Sequence, residues 1–294
     1  MNPQTQRGVT LIELMVGITI GLLTVAVAMG ALMVSRGISG TVSDASTIQQ
    51  QAAYAMRVIG LQLRQAGSLR LNLDPGTATT ESAYLIPAAF EVDYKDPDES
   101  TFILKRDTIT PSTSEYALSV GYRNYTEPVF ISTSDASLHR NCLGQNNNKA
   151  LILSAFQLYA PASDPARREL RCAGPEKTTH DPDDEPQAII NNVANFQVRY
   201  LLQNNTVPGN STIKSVDASS VTNWAQVQAV QVCLVLYGNE SIDMPAGSTY
   251  TDCDGTAVNM TTLTGTRNKR LHIAFRNTFQ LRSQGLIGSV ITPQ

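Results

Sequence analysis

Residues 7–34, RGVTLIELMVGITIGLLTVAVAMGALMV, decide the fold of this chain. A short polar leader with one positive charge, Arg7, precedes an apolar run in which Glu13 is the only ionisable side chain. A secretory signal peptide is cut after its apolar core, so the core is lost. Here the plausible cut follows Gly8 and precedes the core. The mature chain would therefore begin at Val9 and keep a hydrophobic N-terminus.

The apolar run is long enough to cross a membrane. As a helix, residues 9–34 would extend about 39 Å, against about 30 Å for the hydrocarbon core of a bilayer. Arg7 lies on the leader side and the next basic residue is Arg36, so the positive-inside rule places the N-terminus in the cytoplasm. We therefore predict a single pass through the membrane, with the bulk of the chain on the side away from the cytoplasm.

Glu13 needs a partner in an apolar environment, because a charge at mid-bilayer costs about 2.5–3.5 kcal/mol. Cleavage after Gly8 would create an α-amine at Val9, one helical turn away. Inside an assembly, the amine of a neighbouring subunit could take this place. The alternative is an interfacial glutamate that reaches the headgroup region. We predict an assembly role for Glu13, in a chain that is stored in a membrane and later drawn into a helical filament.

Composition places the rest of the chain among exported, β-rich proteins. The 294 residues carry a net charge of −3, and only 16% of them are charged. No cluster of lysines and arginines predicts a nucleic-acid surface. Four cysteines in an exported domain favour two disulfides. Pairing sequence neighbours gives Cys142–Cys172 and Cys233–Cys253, each worth about 3–4 kcal/mol, while the other connectivities remain open.

Residues 35–67 continue the helix with an amphipathic period. Gln62 and Arg57 are predicted to lie on its outer faces, and Gly67 is the predicted stop. One helix from about Thr10 to Ala66 would be about 85 Å long. The alternative is two helices broken near residues 37–40. Apolar residues recur at spacings of three and four: Ala45, Ile48, Ala52, Ala55, Ile59, Leu63 and Ala66.

The remaining chain has the period-two pattern of half-buried antiparallel strands. Shorter strand candidates are 102–104, 116–122, 129–131 and 150–159. We predict an α+β fold in which a long N-terminal helix, with a membrane half and an amphipathic half, packs on a mainly antiparallel β-sheet domain of residues 68–294. Three strands each keep apolar residues on one side: Phe196, Val198, Tyr200 and Leu202; Val230, Val232, Leu234 and Leu236; and Leu271, Ile273, Phe275, Phe279 and Leu281.

Few residues suggest a metal or a catalytic centre, and no cofactor is predicted. The acidic run 181–185 is the best Ca²⁺ candidate, through Asp181, Asp183, Asp184 and Glu185, since calcium prefers closely spaced oxygen ligands. A solvated loop is the commoner outcome for such a run. No catalytic or phosphate-binding motif occurs, so we predict that the chain is not an enzyme. His272 lies on the outward face of its strand and is predicted to be a surface residue.

The N-terminal motif carries a family resemblance. Residues 7–16, Arg-Gly-Val-Thr-Leu-Ile-Glu-Leu-Met-Val, resemble the leader and N-terminus of type IV pilins and pseudopilins. The resemblance implies that a prepilin peptidase cuts after Gly8 and methylates Val9, although the usual first residue is Phe. It also implies that Glu13 pairs with a neighbour's amine. Residues 1–8 are then the leader, and residues 9–34 the transmembrane and filament-core helix.

The resemblance narrows to the PilW family of minor pilins. The carrying residues are Gly21-Leu22-Leu23, the strand 195–200, the strand from Trp224 to Val235, and the closing strand with Arg276 and Leu281-Arg282. This family implies a non-enzymatic subunit that helps to initiate type IV pili, in a priming or tip complex. The implied partners are the prepilin peptidase, other minor and major pilins, and a large tip adhesin. The implied locations are the inner membrane before assembly and the pilus tip afterwards.

Two alternatives remain open from the sequence. A type II secretion pseudopilin would share the processing at Gly8, but its loss would abolish protein export and not surface pili. A signal-anchored periplasmic binding or hydrolytic domain would keep Gly8 uncut and would tolerate Glu13→Ala.

Overall fold

The computed structural model covers the helix and the main sheets of this chain. It describes residues 8–66, 68–69, 87–88, 116–123, 126–128, 136–145, 151–174, 186–204, 212–221 and 227–281. Several predicted features lie outside these residues: the leader before Gly8, the helix stop at Gly67, the strand candidates 102–104 and 129–131, Trp224, and the Ca²⁺ candidates Asp181, Asp183, Asp184 and Glu185.

Helix α1 (Leu11–Gln65) is uninterrupted. Thr10 is its N-cap, and Ala66 is its C-cap, whose backbone N–H donates to the carbonyls of Gln62 and Leu63. Gly37 and Gly40 both lie within the helix. The prediction of one continuous helix is therefore confirmed, and the alternative of two helices is wrong. At 1.5 Å per residue, α1 is about 82 Å long.

The two ends of α1 have different surroundings. Every described side chain of residues 9–39 is exposed, whereas from Asp44 onward one face of the helix is buried. Gly60 lets the sheet approach this face closely, because a Cβ there would lie 2.5 Å from Cε1 of Phe279. The buried face recurs at spacings of three and four: Asp44, Ile48, Ala52, Ala55, Ile59, Gln62, Leu63 and Ala66.

Antiparallel strands follow the helix. In chain order they are β1 (Ser68–Leu69), β2 (Pro87–Ala88), β3 (Leu118–Arg123), β4 (Thr126–Glu127), β5 (Ala136–Ser137), β6 (Leu151–Tyr159), β7 (Glu169–Ala173), β8 (Gln187–Ile190), β9 (Val193–Asn204), β10 (Thr212–Val216), β11 (Val227–Tyr237), β12 (Thr249–Thr251), β13 (Ala257–Asn259) and β14 (His272–Gln280). Short 3₁₀ helices occupy Ala218–Ser220 and Gly265–Arg267.

These strands form two main sheets of four strands each. The first sheet has the order β3-β6-β7-β8 and the second has the order β10-β9-β11-β14. Pairs β1–β2, β4–β5 and β12–β13 are small additions. One continuous core joins both sheets to the buried face of α1. The predicted α+β fold, a long N-terminal helix packed on antiparallel sheets, is confirmed.

Strand β11 corrects a prediction, because it is buried on both faces and not on one. Val230, Val232, Leu234 and Leu236 face the core, as the alternation predicts. On the opposite face, Val235 and Tyr237 are also buried, in a second cluster with Ala194. The cover is residues 238–271, which connect β11 to β14 and which we call the outer loop.

His272 also corrects a prediction, since it is buried and not on the surface. Its ring stacks on Tyr250 of the outer loop, with ring centroids 4.7 Å apart, and its Nδ1 lies 2.8 Å from the Arg270 carbonyl oxygen. Alternation gave its side of the strand correctly. It could not show that the outer loop, which directly precedes this strand, folds back over that side.

Both cysteine pairs are those obtained by pairing sequence neighbours. Cys142–Cys172 joins the loop before β6 to strand β7, with Cα atoms 6.4 Å apart. Cys233–Cys253 joins β11 to the outer loop, with Cα atoms 5.7 Å apart. Each bridge therefore pins a loop to a sheet.

Candidate functional site

The start of α1 is built as a capping box. The Thr10 backbone N–H donates to Oε2 of Glu13 over 3.0 Å, and the Glu13 backbone N–H donates back to the Thr10 hydroxyl oxygen over 3.3 Å. The Thr10 hydroxyl lies 3.0 Å from the same Oε2 and donates to it. This reciprocal pattern satisfies two backbone donors that a helix start otherwise leaves open.

The capping box gives Glu13 a partner within its own chain. Both bonds from Thr10 end on Oε2, and no described residue donates a hydrogen bond to the other oxygen, Oε1. The carboxylate also lies at the positive end of the helix dipole, where a negative charge is favoured. Gly8 and Val9, the predicted cleavage residues, directly precede this box and are exposed. The site thus combines an exposed peptide bond with a carboxylate that can accept a further donor.

Thr10 was not predicted as a site residue. The signal was present in the sequence, because Thr-x-x-Glu before an apolar run is the pattern of a capping box.

The exposed half of α1 has the properties of a helix that lies in an apolar medium. It contains a stretch long and apolar enough to span a membrane, and none of that stretch is buried. Its threonines leave no hydroxyl without a partner: Thr19 donates to the Met15 and Val16 carbonyls, and Thr24 to those of Ile20 and Gly21. In a bilayer such internal bonds remove the cost of an unsatisfied polar group.

The sequence pattern predicts Gln62 on an outer face of the helix. In the structure Gln62 is buried instead and forms the polar centre of the packed half of α1. Its Oε1 accepts a hydrogen bond from the Ser154 hydroxyl at 2.9 Å, and its Nε2 donates to the Arg140 carbonyl at 3.2 Å. The Tyr122 hydroxyl lies 2.8 Å from Gln62 Oε1 and 2.7 Å from the Arg140 carbonyl oxygen, so its single proton can serve either acceptor. Burial raises the pKa of Tyr122, which keeps this proton in place.

Asp44 fastens the helix to the outer loop. Its Oδ2 accepts a hydrogen bond from the Glu240 backbone N–H at 2.8 Å. Gly238 lies beside it, where an added Cβ would collide with the same oxygen. Asp44 and Gln62 share the period of the buried apolar residues, so the helical spacing could have identified both.

No metal centre was found within the described part of the chain, where no group of three or more His, Cys, Asp or Glu side chains is placed to hold an ion. A second acidic run, residues 252–254, is used for structure. Oδ1 of Asp252 accepts from Asn195 Nδ2 at 2.8 Å, and Oδ1 of Asp254 accepts from the Thr256 backbone at 2.9 Å. Asp252 thus holds the turn between β12 and β13 against β9, and Asp254 closes the turn itself.

Comparison with known protein families gives two matches, one at the N-terminus and one over the sheet region. Residues 3–29, which include Gly8 and Glu13, match the prokaryotic N-terminal methylation motif. Residues 158–283, from the end of β6 through β14, match the family described as Type IV Pilus-assembly protein W. The comparison with curated proteins gave no significant match.

Among solved structures, a type IV-like pilin from Thermus thermophilus is similar at 11% sequence identity, with a TM-score of 0.27. The likeness covers 55% of this chain and 76% of that pilin. The fold assignment therefore rests on the helix and sheets described above. The methylation motif implies processing by a prepilin peptidase and partnership with pilins, and the apolar helix suits membrane anchoring. The long N-terminal helix, the methylation motif and the matched sheet region thus make this chain similar to the family described as Type IV Pilus-assembly protein W.

Proposed function

We propose that this protein is a minor pilin that takes part in the initiation of type IV pili, in a priming or tip complex. The observation that carries the proposal is α1 itself. One continuous helix has an exposed apolar half that begins with a capped carboxylate, and a packed half that holds a folded domain. An exposed apolar surface of this size requires a bilayer or a protein partner.

The precursor would sit in the inner membrane through residues 9–34, with its sheet domain in the periplasm. Two disulfides suit that oxidising compartment. The prepilin peptidase would cut after Gly8 and methylate Val9. This role requires no catalytic centre in the chain.

Assembly would then change the partner of Glu13. In the free chain Thr10 occupies Oε2, while Oε1 accepts no hydrogen bond from a described residue. The amine of a neighbouring subunit would bind there as the helix leaves the bilayer. A charged pair in an apolar filament core is strongly favoured over a lone carboxylate, since removing one partner of a buried pair costs about 3–5 kcal/mol. Glu13 would thereby set the axial position of the subunit.

The size of the domain favours a tip or priming position over a repeating one. The described residues after the helix form two main sheets, and the PilW match covers the second of them together with β7 and β8 of the first. The natural partners are other minor and major pilins, and a large adhesin at the tip.

Two substitutions at Glu13 test this proposal. Glu13→Gln keeps the capping box, because glutamine also accepts from Thr10, but it removes the charge. Glu13→Ala removes both. We expect both variants to fold and form their disulfides, and both to be depleted from sheared pili by about ten-fold or more relative to the cell pool.

The comparison between the variants decides the role. Normal incorporation of Glu13→Gln would show that Glu13 acts only as a helix cap and would contradict the assembly role. Absence of the unchanged protein from sheared pili, together with full tolerance of both substitutions, would favour a signal-anchored periplasmic domain. Deletion of the gene separates the pilus from type II secretion, since we expect loss of surface pili with normal protein export.

A further inference from the structure

A groove of about 640 Å³ lies between α1, the 138–144 loop and strand β8. Its helical wall is formed by Tyr54, Val58, Leu61 and Gln65, which follow one stripe of α1. Tyr54 is 52% exposed and Leu61 is 48% exposed. From Tyr54 to Gln65 the helix rises about 16 Å, which an extended chain covers with about five residues.

Exposed apolar residues of the folded domain concentrate in this groove. After Val42, four large hydrophobic side chains of the described residues are exposed: Tyr54, Leu61, Leu138 and Ile213. Three of these four line the groove. Single exposed apolar residues need no explanation, but a cluster around one concave surface indicates a binding site for a protein.

The groove is rigid on the side of the 138–144 loop. Oδ1 of Asn141 accepts from the backbone N–H groups of Leu143 and Gln145, at 3.0 and 2.9 Å. Cys142 is bonded to Cys172 of β7, the neighbour of β8. A preformed wall lowers the entropic cost of binding.

Strand β8 offers an edge to an incoming chain. It is the outermost strand of the first sheet. Within the described residues, β7 is the only strand that pairs with it. Gln187 and Ala188 of β8 are exposed and line the groove. An extended segment in the groove could therefore add to the sheet as a fifth strand and place alternate side chains against Tyr54 and Leu61.

The charge of the groove selects the partner. Arg140 lines it, and Arg57 and Arg64 are exposed on α1, three residues after Tyr54 and Leu61. Among the described residues that line it, none is Asp or Glu. We infer that the groove binds an extended segment of another pilus subunit, one that carries apolar side chains flanked by Asp or Glu and pairs with β8. This inference rests on the proposed function, because it names the partner through which the minor pilin joins its complex.

Photo-crosslinking in cells that make the complete pilus machinery tests the inference with the full chain. A photoreactive residue replaces Leu61 or Leu138 in the groove, or Ile213 on β10 as the exposed control. We expect crosslinks from both groove positions to one other pilin, at a segment with acidic residues that mass spectrometry identifies, and no such product from Ile213.

Charge reversal sharpens the test. Arg140→Glu should lower the crosslink yield from Leu61 by about ten-fold, whereas Lys214→Glu, an exposed change on β10, should leave it unchanged. Crosslinks to residues 70–115 or 175–185 of the same chain, to a second copy, or to no protein would overturn the inference. An equal effect of the two charge reversals would also overturn it.

Cleavage at Gly8 is measured in the same cells to separate the two proposals. A cut chain without groove crosslinks would overturn the inference and leave the proposed function standing. An uncut chain would overturn the proposed function and the inference with it.

Discussion

The two halves of α1 belong to one continuous helix but meet different surroundings. Ile20 in the first half is 60% exposed, and Ile59 in the second half is fully buried. The first half is apolar on all faces, whereas the second is apolar on the face that meets the sheets. The same secondary structure therefore serves two environments, and the distribution of apolar residues around the helix shows which one each half requires.

The change between the halves occurs over a few residues. Gly40 and Thr41 are the first half-buried residues after the exposed stretch, and Asp44 is the first buried residue. Asp44 binds the Glu240 backbone, so the folded domain holds the helix at this point. The first half is thus free to exchange one apolar medium for another without unfolding the second.

The largest expected effect separates the halves directly. Ile59→Ala should lower the free energy of unfolding by about 2–5 kcal/mol, because it leaves a cavity in the core. Ile20→Ala should change it by less than about 0.5 kcal/mol, because the side chain is exposed. Urea unfolding of the full chain in detergent, followed by fluorescence, measures both. Equal losses would show that the first half also packs on the domain.

A smaller effect is expected at the polar centre of the packed half. Gln62→Ala should cost about 1–3 kcal/mol, since it leaves the buried hydroxyls of Tyr122 and Ser154 short of an acceptor. Gln49→Ala, an exposed change on the same helix, is the matched control and should be close to neutral. Urea unfolding of the two variants gives the difference. A neutral Gln62→Ala would mean that these hydroxyls find other partners.

The smallest effect is a dependence on pH. Burial lowers the pKa of His272, and Arg267 acts in the same direction, while the Arg270 carbonyl and Asp252 oppose it. In the unfolded chain His272 takes up its proton as the pH falls below about 6.5, whereas the folded protein resists it. The free energy of unfolding should therefore decrease as the pH is lowered through this range, by at most about 1.4 kcal/mol per pH unit.

His272→Phe keeps a ring beside Tyr250 and removes the titration. Unfolding curves at pH 7.5 and pH 5 should then differ less than in the unchanged protein. Burial also lowers the pKa of His139, so part of the acid sensitivity should remain in His272→Phe. This part should disappear in a double variant in which His139 is also replaced by Phe. An unchanged difference in His272→Phe would contradict the assignment.

Sequence patterns predicted the features that depend on local order. The continuous helix, its buried face from Ile48 to Ala66 and the core side of β11 and β14 follow from spacing, while the cysteine pairs are one of the connectivities that the sequence left open. The predictions that failed concern burial by tertiary contacts. Burial of His272 requires the outer loop to fold over the sheet, and the partners of Gln62 come from Tyr122 and Ser154. No local pattern contains such contacts.

The most direct test concerns the first half of α1. Mass spectrometry determines the mature N-terminus in cells with and without the prepilin peptidase. Our account predicts a chain that begins at Val9 only when the peptidase is present, with methylation as a further mass difference. A chain that still begins at Met1 in both strains would contradict the account and would leave an anchored domain that does not enter a filament.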